Sequence, residues 1–367
     1  MGADLPLSGL KVICVEQAVA APFASARLAD AGAHVIKIER PEGDFARGYD
    51  DVAAGQSSYF TWLNRGKESR TLDLGSDGGK AELSELIATA DVLIQNLKLG
   101  ALERLGFDPA ELRRRYPRLI TCSITGYGTT GPMAQRKAYD LLVQAESGLC
   151  SITGGPSEPA RVGMSIVDVA TGATAHAAIL EALIRRGTTG QGAQLSVSMF
   201  DVMADWLTVP LLNHEGGKTP ERVGLAHPSI APYGVFDMQR GAPILISIQS
   251  DREWRKLCAD ILSAPGLGED DRFATNVARV RNRAETDRIV AEAFAKVPSD
   301  EMARQLDKAG IAFAVLRDME GLSRHPHLRR ITVETEGGPV SLPAPGVIWE
   351  SEVRGYGPVP ALNAPDG

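Results

Sequence analysis

LKVICVEQAVAAPFASARLADAGAHVIKIE, residues 10–39, decides the fold. Its two ends, LKVICVE from Leu10 and HVIKIE from His34, are short runs rich in β-branched residues, the composition of strands. Between them, AVAAPFASARLADAGA reads as a helix whose small residues permit close packing on a sheet, and Gly32 can end it. ADVLIQN from Ala90 and RLITCSITG from Arg118 repeat the strand pattern. Strand, helix, strand repetition implies an α/β domain with a Rossmann-like, doubly wound parallel sheet. The turn after Leu10–Glu16 carries no G-x-G-x-x-G, so the phosphate nest of a nicotinamide or flavin enzyme is missing.

Working outward, VDVATGATAHAAILEALIRR (Val167–Arg186) reads as a long helix with a basic last turn that suits the macrodipole. LSVSMFDVMADWLTVPLLNHE offers a strand running into an apolar helix, which Gly216, Gly217 and Pro220 end. A boundary there gives a large domain over 1–220 and a smaller α+β domain over 221–330. The smaller one shows a hairpin around Arg240 and Gly241 and helices beginning near Asp251 and Glu285. Residues 331–367, rich in proline and glycine, suit an extended return that completes the large domain.

At 367 residues the chain exceeds what one core usually supports, and 44% hydrophobic residues suffice for two. A net charge of -7 describes an acidic, soluble protein, not one built for nucleic acid or anionic lipid. The four cysteines, Cys14, Cys122, Cys150 and Cys258, form no C-x-x-C pair, so reduced thiols are expected. The six histidines show no metal-ligand spacing, and no G-x-S-x-G elbow appears. MGADLPLSGLKVICVE lacks a basic region followed by a long apolar run, and no stretch of about 18 uncharged apolar residues follows; a cytosolic protein is expected.

For chemistry there remain carboxylates and cations. Asp168 and Asp140 each precede a helical run and read first as N-caps, second as reacting groups. The glycine pair of SITGGPSEP makes a turn, or a lid. Arg40, Arg47, Arg65, Lys67, Lys98 and Arg104 stand near strand carboxyl ends, where open α/β sheets bind ligands. Each alone is a solvated charge; together they could neutralise a nucleotide with several phosphates.

GLKVICVEQAVAAPFASARLADAGAHVIKIERPEGDFAR, LNRGKESRTLDL, DVLIQNLKLGALERLGFD, GYGTTGPMAQRKAYDLLVQAESGL and VGMSIVDVATGATAHAAILEALIRRGTTGQGAQLSVSMFD together resemble the class III CoA transferases. The resemblance covers almost the whole chain. It implies that Asp168, in VDVATG, is the nucleophile. It further implies that Val19, Ala20, Arg40, Asn96, Ala101, Arg104, Lys137 and Tyr139 line the CoA site, with Asn64, Arg65 and Lys67 toward its adenosine end. Coenzyme A would be substrate and product, exchanged with a small carboxylic acid, with no prosthetic group. The assembly it implies is an interlocked homodimer. Tyr139 stands where racemase relatives carry histidine, which argues against racemisation, and GLAHPSIAPYG from Gly224 replaces the glycine run of formyl-CoA transferase, which argues against formyl or oxalyl transfer. The AHPSIAPYGVF and IQSDREW segments resemble the subgroup acting on C4 and C5 dicarboxylates, with Arg47, Arg161, His227 and Arg252 as cations for a second carboxylate. An intramolecular transferase, a racemase-like epimerase and a non-catalytic CoA-binding scaffold are the alternatives.

Overall fold

A computed structural model describes residues 5–350 and 353–362. The chain divides into two compact units, one of Met1–Cys150, Arg161–Leu212 and Arg329–Gly367, the other of Ser151–Ala160 and Asn213–Leu328. Residues 151–160, read from sequence as part of the first domain, thus pack with the second.

In the first unit the chain runs β1 (Lys11–Val15), α1 (Ala20–Asp30), β2 (His34–Glu39), α2 (Ser58–Asn64), β3 (Glu68–Thr71), α3 (Asp77–Ala88) and β4 (Val92–Gln95). It continues with α4 (Ala101–Arg104), α5 (Pro109–Arg115), β5 (Ile120–Thr125), α6 (Asp140–Glu146), α7 (Leu149–Ile152), α8 (Ile166–Thr189), β6 (Gln194–Ser198), α9 (Met199–Trp206) and α10 (Thr208–Glu215). α7 and α10 each cross into the second unit at their ends.

The six strands form one sheet in the order β3-β2-β1-β4-β5-β6, every pair parallel. β1, β4 and β5 are buried on both faces, which explains why KVICV, VLIQ and ITCSIT read as apolar runs rather than alternating strands. One face is covered by α1 and α8, packed on Val12, Cys14, Ile94 and Cys122; the other carries Ile13, Val15, Leu83 and Ile87.

α1 and α8 lie close because of small residues. A Cβ on Gly172 would come within 2.5 Å of the Ala20 carbonyl oxygen and 2.8 Å of Phe23 Cβ, so glycine there sets the interhelical distance. α8 buries Val167, Ala170, Thr171, Ala175, Ile179 and Ala182, a stripe of three- and four-residue steps. Its length and composition alone would let it cross a membrane, but here that stripe belongs to the core between α1 and the sheet.

The tail adds the antiparallel pair β10 (Arg330–Val333) and β11 (Val340–Pro343) to the first unit. Val333 and Val359 pack on Phe60 of α2, and Gly66 N–H donates to the Pro358 carbonyl.

The second unit holds a three-stranded antiparallel sheet, β7 (Tyr233–Phe236), β8 (Ile244–Ser247) and β9 (Phe313–Val315), with β7 and β8 joined by the expected hairpin. Its helices are α11 (Asp251–Asp260), α12 (Asn276–Arg281), α13 (Arg283–Phe294), α14 (Ser299–Ala309) and α15 (Met319–Ser323). Trp254, Phe273, Phe294 and Leu306 centre a core of its own. The rings of His325 and His327 lie 5.8 Å apart in a turn, tilted by 40° to each other.

Candidate active site

In this strand order the connections leave β1 in opposite directions, through α1 to β2 and later to β4 on its other side, so a crevice opens beyond the carboxyl ends of β1 and β4. A cleft of about 490 Å³ occupies that place. Gln17, Ala18, Val19 and Ala20 line it after β1, Asn96–Leu99 after β4, and Ile124–Gly126 at the end of β5. Phe45, Tyr49 and Tyr59 form an aromatic wall; residues 134–141 with Arg161, Ser165, Asp168 and Met199 close the circuit.

The β1–α1 turn is held by side chains where a dinucleotide site would use glycines. Asn96 accepts from Gln17 N–H at 2.9 Å through Oδ1 and donates to its carbonyl at 2.8 Å through Nδ2. Ala18 has a φ of 62°, a left-handed conformation uncommon outside glycine, asparagine and aspartate. α1 then begins with no side-chain cap, and among the described residues the N–H groups of Val19, Ala20 and Ala21 have no hydrogen-bond partner.

Asp168 lies in the first turn of α8 and its side chain is half-buried in the cleft wall. Among the described residues no N–H or O–H donates to its carboxylate. Burial first, and then the charge of Asp140, push it up to about 7. Asp140, the first residue of α6, accepts from Val167 N–H at 2.8 Å and Asp168 N–H at 3.2 Å through one oxygen and from Gln144 Nε2 at 2.6 Å through the other. The fully buried Gln144 in turn accepts from Val162 N–H at 2.9 Å. Asp140 is therefore not the N-cap its sequence suggested, a position Tyr139 takes in α6; its carboxylate instead satisfies the first turn of α8 from outside that helix, whose own N-cap Ser165 makes no side-chain cap bond. Asp168 is left free by the same arrangement. Nearby, Tyr59 and Ser165 share a hydrogen bond of 2.9 Å, and burial with Asp44 and Asp168 raises the Tyr49 phenol to about 12, keeping it a donor.

Of the residues the resemblance implied for CoA, the fold brings Val19, Ala20, Asn96, Lys137 and Tyr139 into this cleft with Asp168. Lys137 and Tyr139 are exposed, and Tyr139 forms the N-terminal boundary of α6. Arg40 lies beside it in a second hollow of about 160 Å³, lined also by Leu72, Asp73, Leu74 and Leu97; its Nε donates to the Gly43 carbonyl at 2.9 Å. Ala101 and Arg104 open and close α4 outside both hollows, with Arg104 exposed near Gly100.

Asn64, Arg65 and Lys67 are outside both hollows as well, and all three are buried. Lys67 is buried with its ammonium 2.7 Å from Glu16 Oε1 and 3.0 Å from Asn64 Oδ1, and Asn64 donates to the Phe60 carbonyl. Arg65 pairs with Asp30, donates to the Trp62 carbonyl and faces the Tyr356 ring. These groups neutralise buried partners, so their charge is already engaged. Arg47 is likewise spent on Glu39, which, against the cost of burial, it holds down to about 2 together with Lys37. Gln17, Tyr49, Tyr59 and Arg136 line the cleft without having been singled out, since nothing in their local sequence distinguishes them from surface residues.

Among the described residues no group of His, Cys, Asp and Glu could hold a metal ion. Cys14, Cys122 and Cys258 are buried, Cys14 beside the Glu16, Lys37 and Lys67 charges.

Residues 7–364 match CoA-transferase family III. An acetyl-CoA:oxalate CoA-transferase of Acetobacter aceti is 38% identical over 96% of this chain and 90% of its own length. A succinate–glutarate CoA-transferase of Agrobacterium fabrum is 35% identical over 98% and 93%. The crystal structure of a CAIB/BAIF family protein from Brucella suis superposes with a TM-score of 0.84 at 36% identity, covering 98% of this chain and 97% of that one. The chain belongs to the family III CoA-transferases and is an enzyme of that class.

Proposed function

We propose that this enzyme moves CoA from an acyl-CoA to a free dicarboxylic acid, with Asp168 as covalent carrier. The observation that carries the reading is the half-buried, unpartnered Asp168 carboxylate facing a cleft at the sheet's switch point. An ionised Asp168 oxygen attacks the thioester carbonyl, the C–S bond breaks, and CoA leaves as thiolate, giving a mixed anhydride. The thiolate then attacks the aspartyl carbonyl, releasing the first acid and leaving an aspartyl-CoA thioester. The incoming carboxylate displaces CoA again to form a second anhydride, and the thiolate attacks its acyl carbonyl, regenerating Asp168. No step needs an outside oxidant, metal or water. The unpaired N–H groups of Val19 and Ala20 are suited to an oxyanion forming on the reacting carbonyl.

A second carboxylate on the substrate finds four cations on the cleft wall, Lys98, Arg136, Lys137 and Arg161. Among the described residues Arg161 Nε is bonded only to the Val162 carbonyl, at 3.1 Å, and Arg136 to Glu146 at 3.3 Å. Relatives whose names give oxalate, glutarate and mesaconate as the acid support a dicarboxylate. The stretch from Gly224 argues against oxalyl transfer, yet a relative at 38% identity named for oxalate keeps that acid in the panel. An interlocked homodimer is part of this reading, and light scattering of the purified chain checks it.

The test is a panel of oxalate, succinate, glutarate and mesaconate offered with acetyl-CoA or succinyl-CoA, thioesters being separated by liquid chromatography. Asp168→Ala should abolish exchange while CoA still binds, and hydroxylamine should trap the wild-type enzyme as a hydroxamate at that residue. Exchange by the variant, or a label elsewhere, would remove Asp168 from the mechanism.

A further inference from the structure

We infer that Lys37 and Asp44, a buried ion pair that does not line the cleft as a reacting group, are positioning residues for the wall that faces Asp168. This rests on the transferase reading above and deepens it. Lys37 lies in the interior of β2 and its side chain is fully buried; Asp44 follows β2 and its side chain is 1% exposed. Their ammonium and carboxylate are 2.8 Å apart. The cost of burying two charges is recovered only when every oxygen and proton finds a partner, and here the partners are the backbone of the site.

Asp44 Oδ2 takes the ammonium, while Oδ1 accepts from Ala18 N–H at 3.2 Å and from Ala46 N–H at 2.9 Å. Lys37 also donates to the Glu16 carbonyl at 3.3 Å. With Asn96 on both groups of Gln17, four successive polar backbone groups after β1 are gripped: Glu16 C=O, Gln17 N–H, Gln17 C=O and Ala18 N–H. The grip ends at the alanine held at a φ of 62°. Such a conformation persists in a non-glycine residue only where the surroundings over-determine it. Beyond it come the two N–H groups left without partners on the cleft wall. On its other side, the same Asp44 oxygen fixes the turn carrying Phe45 and Tyr49, so one carboxylate ties two walls together. Asp44 itself is anchored through its N–H to Glu39 Oε2 at 2.8 Å.

Loss of this hold should move the Ala18–Ala20 wall by a fraction of an ångström to an ångström, which costs about 10- to 100-fold in the chemical step. Asp44→Ala should lower kcat by that order with KM for acyl-CoA within about threefold, because the contacts of the distant nucleotide remain. Asp44→Asn keeps an oxygen for Ala18 N–H while its amide NH2 faces the Lys37 ammonium, so it should restore part of the rate. Placing Ala18→Gly in the Asp44→Ala background should also recover part of it, since glycine adopts the left-handed turn without being held there.

The experiment measures kcat, KM and thermal melting for these full-length variants beside Asp168→Ala. If Asp44→Ala does not fold, Lys37→Met with Asp44→Ala removes both charges at once and takes its place. Wild-type kcat in folded Asp44→Ala, or in the Lys37→Met, Asp44→Ala double variant, overturns the proposal. So does a rate loss that tracks melting alone and is unmoved by Asp44→Asn and by Ala18→Gly. Activity in Asp168→Ala would instead strike down the mechanism on which it rests.

Discussion

Replacing Asp168 by Asn should make the ligand-free protein more stable at neutral and alkaline pH, and the gain should vanish in acid. Its carboxyl titrates near 7 in the fold because burial and then Asp140 oppose the charge, against 3.8 for the free side chain. At about 1.4 kcal/mol for each pH unit between those two values, the ceiling on the effect is about 4 kcal/mol. The side chain is only half-buried, and the effective dielectric at such sites is far above that of dry protein, so about 2 kcal/mol is the working figure. The folded state holds the proton over a range where the unfolded chain has released it. Wild-type stability therefore declines as pH rises from about 4 to about 7 and levels off above. Asparagine has the shape of the acid and no charge, so the variant escapes that decline. Thermal melting of both proteins without CoA at pH 5, 6, 7 and 8 should show the difference growing to its full value by pH 8, in a variant without transferase activity. A constant difference across that range, or a wild-type protein more stable at pH 8, would falsify the placement of an uncompensated carboxylate in the cleft.

Asp140→Ala should lower stability by about 1 kcal/mol through loss of its bonds to the first turn of α8, and should shift the acid limb of kcat/KM to lower pH because a neighbouring negative charge is gone; an unmoved limb in a pH–rate profile would contradict it. Gly172→Ala forces α8 away from the Ala20 carbonyl, so a loss of about 1–3 kcal/mol by denaturant unfolding and at least about a tenfold drop in kcat are expected, and wild-type values of both would refute the close approach. Lys67→Met leaves Glu16 with one buried cation instead of two, at a cost of about 3 kcal/mol or more; a melting temperature equal to wild type, with a raised KM for acyl-CoA, would return Lys67 to the ligand site.

The large domain's sheet was legible where strands are buried on both faces, because KVICV, VLIQ and ITCSIT leave little choice of structure. β3 was not. ESRT at the sheet edge offers no apolar alternation, and it pairs with β2 while Ser69 donates to Glu39 at 2.6 Å and Arg70 bonds to Glu68 and Glu82. The long α8 came out within a few residues of its ends, since its small residues and basic last turn are local signals. The single apolar helix expected after β6 is broken at Leu207 into α9 and α10, a break that nothing in WLTVP except its proline announces.

Charges misled more than apolar residues did. A lysine in sequence carries no mark of whether its partner is solvent, a ligand or a buried glutamate. Lys67 and Arg65 were expected toward the adenosine end of CoA from the resemblance, and the fold buries both against Glu16 and Asp30. Lys37, inside a strand that reads as plain core, was not singled out, yet it grips the backbone of the cleft. The physical reason is the same in each case. A turn at a switch point can be stiffened by glycines that let backbone N–H groups converge, or by buried side chains that hold each peptide group from beneath. This chain does the second, with Asn96, Lys37 and Asp44 in place of a G-x-G-x-x-G. Its missing glycine motif and its buried lysines are therefore one feature: the N–H groups that a nucleotide nest would point at a pyrophosphate are partly consumed, and those of Val19 and Ala20, left free, belong to the wall of the cleft that Asp168 also lines.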